Sequence, residues 1–244
     1  MGIGRLAGWL LILALACAPA ARAAAEEVDL RLLLAIDVSG SVDQEEAKLQ
    51  RQGYIDAFED PRILRAIQRG PTGRIAVAYY EWSDSFYQRV VADWTVVSDE
   101  DTAGAFVRTL REASIGIATR TSISGAMRFG LGLLTRSPHV STRKVLDISG
   151  DGPNNDGDFV DEARDAALAA GLTINGLPII NDRPNRMGFP SMPDLDLYYQ
   201  DCVIGGPGAF MGVARDFEAF GAAIKQKLFL ELAGSVARER GDAV

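Results

Sequence analysis

The chain has 244 residues, 48% of them hydrophobic, with 33 acidic against 25 basic side chains and a net charge of −8. That content excludes a disordered chain, and the negative balance argues against nucleic acid as a partner because nothing offsets phosphate repulsion.

Arg5, the apolar run Trp9 to Ala16 and the small residues around Ala21-Arg22-Ala23 read as a signal peptide over 1–24. The run is too short to span a bilayer and no second one exists, so export to a periplasm or beyond is expected, with no stable membrane insertion afterwards. Lipidation at Cys17 is the alternative, although Ala14-Leu15-Ala16 lacks the leucine three residues upstream that such a signal carries. Cleavage removes Arg5 and Arg22, which leaves 23 basic residues against 33 acids and a balance of −10. It also leaves Cys202 alone, which rules out an internal disulfide. Residues 25–235 suffice for one α/β domain with a full core, followed by a C-terminal tail over 236–244. Oligomeric state is not legible.

Leu30 to Ile36 is almost continuously apolar, the pattern of a central strand buried on both faces. Asp43 with Glu46 three residues on is a capping-box pattern, and Ala47, Tyr54, Ile55 and Phe58 mark one face of the helix it opens. Pro61 starts a shorter helix ending near Gly70. Ile75 to Tyr80 and Phe86 to Val91 read as two strands whose connection is too short for a crossover helix, so they should be antiparallel neighbours. A helix with Ala103, Phe106, Val107 and Leu110 inward follows, then one carrying Ile123, Ala126, Met127, Gly130, Leu131 and Leu134. Val145 to Ile148 is a strand, Phe159 to Ala170 a helix and Leu172 to Ile180 a strand. The irregular stretch Asn181 to Tyr199 should lie beside the ligand-binding edge. A short strand is expected near Cys202 to Ile204 or in Ala209 to Val213, and a closing helix turns Phe217, Phe220, Ile224 and Leu228 inward.

This alternation predicts a Rossmann-like α/β domain: a mostly parallel central sheet with one antiparallel strand and helices on both faces. In such sheets ligands bind at the carboxyl ends of the strands, where strand order reverses. The loops after Ile36, Ile148 and Ile180 should crowd that edge.

Asp37, Ser39 and Ser41 stand just past the first strand, so a tight loop offers one carboxylate and two hydroxyls to a common point. Hard oxygens suit Mg²⁺, or Mn²⁺ and Ca²⁺. A lone motif of this kind is equally consistent with Asp37 capping the following helix. These residues resemble the metal-ion-dependent adhesion site of the von Willebrand factor A (vWA) family, whose first motif is Asp-x-Ser-x-Ser. The resemblance implies a threonine from a second loop, matched by Thr121 at the start of a small-residue helix, and an aspartate from a third, matched by Asp151-Gly152. Arg120 and Gly150 depart from the family, which usually has a glycine before the threonine and a threonine before the aspartate. Thr119 is a positional alternative to Thr121. The implied metal set is Asp37, Ser39, Ser41, Thr121 and Asp151, with Asp151 acting through water and the ion capturing an acidic group of a protein partner. Ile36 to Val42, Tyr80-Glu-Trp-Ser83, Ser149 to Gly152, Ile174 to Pro178 and Val203 to Phe210 resemble a subgroup of short secreted bacterial vWA proteins of unknown function.

Rival readings lack their chemistry. A haloacid dehalogenase-type phosphatase needs a second aspartate two residues after the first, where Ser39 stands. A serine hydrolase needs a Gly-x-Ser-x-Gly elbow and a histidine, whereas the single His139 sits beside Pro138 and reads as a solvated loop residue. Gly205-Gly-Pro-Gly208 lacks the lysine of a phosphate loop and reads as a turn. Asp182, Asp194, Asp196 and Asp201 do not fit calcium-loop spacing. Asp147, inside an apolar strand, requires a sheet-end position or a hydrogen bond to a neighbouring loop. A purely structural metal is the remaining alternative to a partner-binding ion.

Overall fold

The aliphatic run at Leu30 becomes the middle of a five-stranded sheet in the computed structural model, which describes residues 25–116, 118–180, 192–216 and 219–239, with side chains of the last helix described to Leu232. The expected signal peptide with Cys17, and Asp182 and Phe217, lie outside the described residues, as do the proline-rich positions before Met192. In chain order the elements are β1 (Glu26–Glu27), β2 (Leu30–Asp37), α1 (Gln44–Phe58), α2 (Pro61–Gln68), β3 (Ile75–Trp82) and β4 (Gln88–Val97). There follow α3 (Glu100–Glu112), α4 (Ile123–Thr135), β5 (His139–Val140), β6 (Lys144–Gly150), α5 (Val160–Ala169) and β7 (Thr173–Pro178). A short α6 (Leu195–Tyr198) runs into a π-helical turn (Tyr199–Val203), and α7 (Phe220–Glu239) closes the chain.

The sheet order is β4-β3-β2-β6-β7, parallel except for β3 with β4. Strand period sorts β2 between two cores. Leu30, Leu32, Leu34 and Ile36 face the layer of α1, α2, α3 and α7, while Leu33 and Ala35 face α4, α5 and α6. Burial of each such leucine is worth about 1.5–3 kcal/mol, which makes β2 the anchor of both layers. Caps end the helices where the sequence places them. Asp43 forms the full capping box with Glu46, Asp60 and Pro61 start α2, and Asp99 with Thr102 starts α3. Among the described residues no helix is long and apolar enough to cross a membrane.

Three expectations are corrected. The antiparallel strand begins at Gln88 and runs to Val97, because Ser83 to Tyr87 close a turn through Ser83 N to Tyr87 O at 3.1 Å and Tyr87 N to Asp84 O at 3.1 Å. Phe86 is therefore in the turn. The expected strand after residue 199 is absent from the described residues. Cys202 and Val203 lie in the π-helical turn, and 205–214 forms isolated bridges rather than a strand, from Gly205 and Met211 to β7 and from Ala214 to Ile179 just past it. Gly206 (φ 94°) and Gly208 (φ 71°) bend that segment into the expected turn, too sharply for a continuous ladder. Finally, His139 is buried rather than solvated, paired in β5 with β1, its Nδ1 3.6 Å from Glu26 Oε2.

Asp147 is corrected too. It sits mid-strand and fully buried, ion-paired with Lys227 of α7, whose Nζ also lies 2.8 Å from Glu231 Oε1. Asn175 of β7 donates to that same oxygen at 3.0 Å. Its compensation comes from the last helix, neither from a sheet end nor from a loop.

Candidate functional site

Strand order reverses between β2 and β6, and the candidate site lies at their carboxyl ends. Asp37 is the last residue of β2. Its Oδ1 accepts the Ser39 amide at 2.7 Å, and Val42 N donates to Ser39 O at 3.0 Å, so the chain turns at once and projects both serines inward. Ser39 Oγ and Ser41 Oγ stand 3.1 Å apart. Ser41 Oγ donates to Asp151 Oδ1 at 2.6 Å, and Thr121 Oγ1 reaches Ser39 Oγ at 3.3 Å. The side chains expected from three separate loops are thereby brought together. Asp37 does not cap α1; Asp43 does. Thr119 has an exposed side chain, and its carbonyl would be 2.9 Å from a Cβ at Gly40, so Gly40 lets the first loop cross the second.

Backbone staples hold the three loops in register. Ser122 N donates to Ser83 O at 2.7 Å, and Ser83 Oγ to Arg120 O at 2.6 Å, which ties the second loop to the end of β3. Asn155 and Thr121 exchange bonds of 2.8 and 3.0 Å, which ties the third loop to the second. Sequence reasoning missed the clamp on the approach to Thr121. Buried Glu81 pairs with Arg51 and, at 2.7 Å, with Arg89, and accepts the Gly116 amide at 3.0 Å. Arg51 also donates to Ser114 O at 3.0 Å and, more closely, to Ala113 O. An acid within the apolar run of β3 was the available signal.

Both departures from the family pattern have a place. Arg120 turns outward, 3.7 Å from Asp156 and 66% exposed, so only its backbone serves the loop. A Cβ at Gly150 would stand 2.8 Å from the Tyr199 hydroxyl and 2.9 Å from Asp37 Oδ2. The threonine usual there would displace one of them.

The electrostatics are those of a cation site without a built-in cation. Burial, and then the charge of Asp151, push the Asp37 carboxyl up to about 8. Burial pushes Asp151 up to about 6 against the opposing Ser41 hydrogen bond. Asp37 Oδ2 is buried and accepts no hydrogen bond. Two carboxylates match the charge of one divalent ion, and three hydroxyls add hard, neutral oxygens, so the donor set fits Mg²⁺ or Mn²⁺. Among the described residues no group of three or more His, Cys, Asp or Glu side chains forms a metal cluster, so Asp194, Asp196 and Asp201 do not build a second one.

Residues 27–236 match the family described as "Protein of unknown function (DUF1194)". No curated protein matches the sequence. Among solved structures, proximal thread matrix protein 1 from the mussel byssus, with a zinc-occupied MIDAS motif, superposes with a TM-score of 0.58 at 14% identity over 84% of this chain and 46% of that one. A von Willebrand factor type A protein from Catenulispora acidiphila gives 0.54 at 14% over 86% and 43%. The pilus adhesin SpaC from Lactobacillus rhamnosus GG, in its open conformation, gives 0.57 at 14% over 84% and 30%. The chain thus spans half or less of the length of each, and at these identities the likeness is one of fold: the vWA fold.

Proposed function

The chain belongs to the DUF1194 family and has the vWA fold, and from that premise we propose that it is an exported protein-binding module whose Asp37, Ser39, Ser41, Thr121 and Asp151 hold a divalent cation that captures an acidic group of its partner. The observation that carries this reading is a run of contacts of 2.6 to 3.3 Å joining the Asp151 carboxylate to the Ser41, Ser39 and Thr121 hydroxyls at the switch point of the sheet, with the buried Asp37 carboxylate held to the same loop by the Ser39 amide at 2.7 Å. The ion, when bound, supplies an electrophilic centre that a carboxylate from outside completes. The chain's own residues keep the carboxylates apart from solvent and aim the hydroxyls. The domain spans 25–235, with 1–24 removed on export; Mg²⁺ is the ion we favour, with Mn²⁺ next.

Calorimetry on the mature protein tests the site: one Mg²⁺ or Mn²⁺ should bind to wild type and none to Asp37→Ala, and equal affinity in both overturns the assignment. Pull-down from a cell-envelope extract in Mg²⁺ and in EDTA tests capture, since a partner retained equally in both does not bind through the ion. Turnover of generic phosphate esters would restore an enzymatic reading.

A further inference from the structure

Two phenylalanines on the rim of this site break the rule that large apolar side chains are covered. Phe86 is 95% exposed and Phe159 76%, the two most exposed large hydrophobics among the described residues. Both are held out by ordered backbone. The Phe86 amide donates to Asp84 Oδ1 at 3.0 Å, its neighbour Ser85 N to Asp156 Oδ2 at 2.8 Å, and Gln88 Nε2 to Asp84 O at 2.8 Å. Phe159 takes the N-cap position of α5 and offers its helix no side-chain hydrogen bond, where Ser, Thr, Asp or Asn would contribute about 1 kcal/mol. Local stability is forgone at the position where an aromatic ring is displayed, the pattern expected of a functional surface.

The two rings belong to one rim. Asp156, which holds Ser85, adjoins Asn155, the residue stapled to Thr121; Phe159 ends the same loop that Asp151 begins. A cleft of about 340 Å³ is lined by Ser85 and Asp158, the residues just before the two phenylalanines, together with Ser122, Arg128 and Phe129.

We propose that Phe86 and Phe159 are aromatic anchors beside the cation site and that the partner is an acidic protein segment whose carboxylate is flanked by apolar side chains. Rigid exposed aromatics beside a cleft are the usual source of binding energy at protein interfaces. Asp156 and Asp158 beside the rings are paired with Arg120 and Arg128, so a short segment meets the bound cation and a locally balanced rim, whereas an extended anionic lipid surface or a second copy of the chain meets the overall charge of −8. The inference rests on the metal-bridged reading above and adds the partner's apolar flanks to it.

A random heptapeptide phage library panned on the mature protein in Mg²⁺ and eluted with EDTA supplies the test. The eluted peptides should share one Asp or Glu with apolar neighbours, and synthetic copies should bind Phe86→Ser/Phe159→Ser about tenfold or more weakly than wild type, with Mg²⁺ affinity unchanged in calorimetry. Equal affinity for the double variant, peptides without apolar flanks, or no EDTA-eluted peptide overturns the proposal. So does binding to phosphatidylglycerol vesicles, or self-association by sedimentation, that the double substitution abolishes while peptide binding persists. Peptides that depend on the phenylalanines but survive EDTA would instead sink the metal-bridged reading and leave the aromatic surface standing.

Discussion

Two clusters of buried acid lie in this domain and differ in where their counter-charge comes from. In the middle of the sheet, Asp147 and Glu231 share Lys227, wholly buried with them on the last helix. At the carboxyl edge, Asp37 and Asp151 have hydroxyls, amides and one another around them, with Glu46 a further acid beside Asp151; burial pushes both carboxyls upward, as it does Asp147, but no lysine opposes the push. A carboxylate taken out of water needs a positive partner or its proton. The fold provides a lysine in one place and none in the other, which is left to a proton or, in the proposed site, to an external cation.

Breaking the internal cluster should have the largest effect. Lys227→Met leaves two buried acids uncompensated, and a loss of about 3–5 kcal/mol is expected in urea or thermal denaturation, largely independent of Mg²⁺. At the edge the dependence reverses: Mg²⁺ at about a hundred times its Kd should stabilise wild type by about 2.7 kcal/mol, and Asp37→Asn should abolish that gain while leaving the metal-free domain no less stable. Differential scanning calorimetry with and without EDTA separates the two cases.

The pH dependence sharpens the contrast. Folding raises Asp37 to about 8 and Asp151 to about 6, above the ordinary carboxylate value, so the folded state retains protons the unfolded chain has released. Their contribution is fully present below that ordinary value and is lost as pH rises through about 6 and 8; Asp147, raised to about 7, adds to the fall in between, and only the edge pair's share should respond to Mg²⁺. Apparent Mg²⁺ affinity should climb over the same interval, with proton release visible as a buffer-dependent heat in titration calorimetry. The smallest effect is expected for Glu231→Gln, which leaves Asp147 and Lys227 balanced one to one and should cost about 1 kcal/mol or less by chemical denaturation.

Much of this was legible in the chain. Leu30 to Ile36 reads as a doubly buried strand and is one, and the helix starts at Asp43 and Pro61 appear where their residue types predict. Asp37, Ser39 and Ser41 stood out because they follow a strand whose period is visible locally, and the resemblance to the vWA family added Thr121 and Asp151, which the structure brings beside them. What escaped were pairings between elements remote in sequence. Nothing near Asp147 announces Lys227, which sits among Phe220, Ile224 and Leu228 in a helix of ordinary period, and nothing near Arg51 announces Glu81. Phe86 looked like the start of a strand because aromatic residues favour strands, and the turn through Asp84 overrode that preference.

The sequence by itself determined the α/β alternation, the edge at which a ligand would sit and the oxygen donors grouped there, since period, caps and motif order act over a few residues. Tertiary structure alone decided that Gly150 makes room for Tyr199 beside Asp37, that Lys227 completes Asp147, and that Phe86 and Phe159 stay exposed. Those are matters of distance between segments far apart in the chain, set by how the layers pack against the sheet, and side-chain chemistry along one segment carries no record of them.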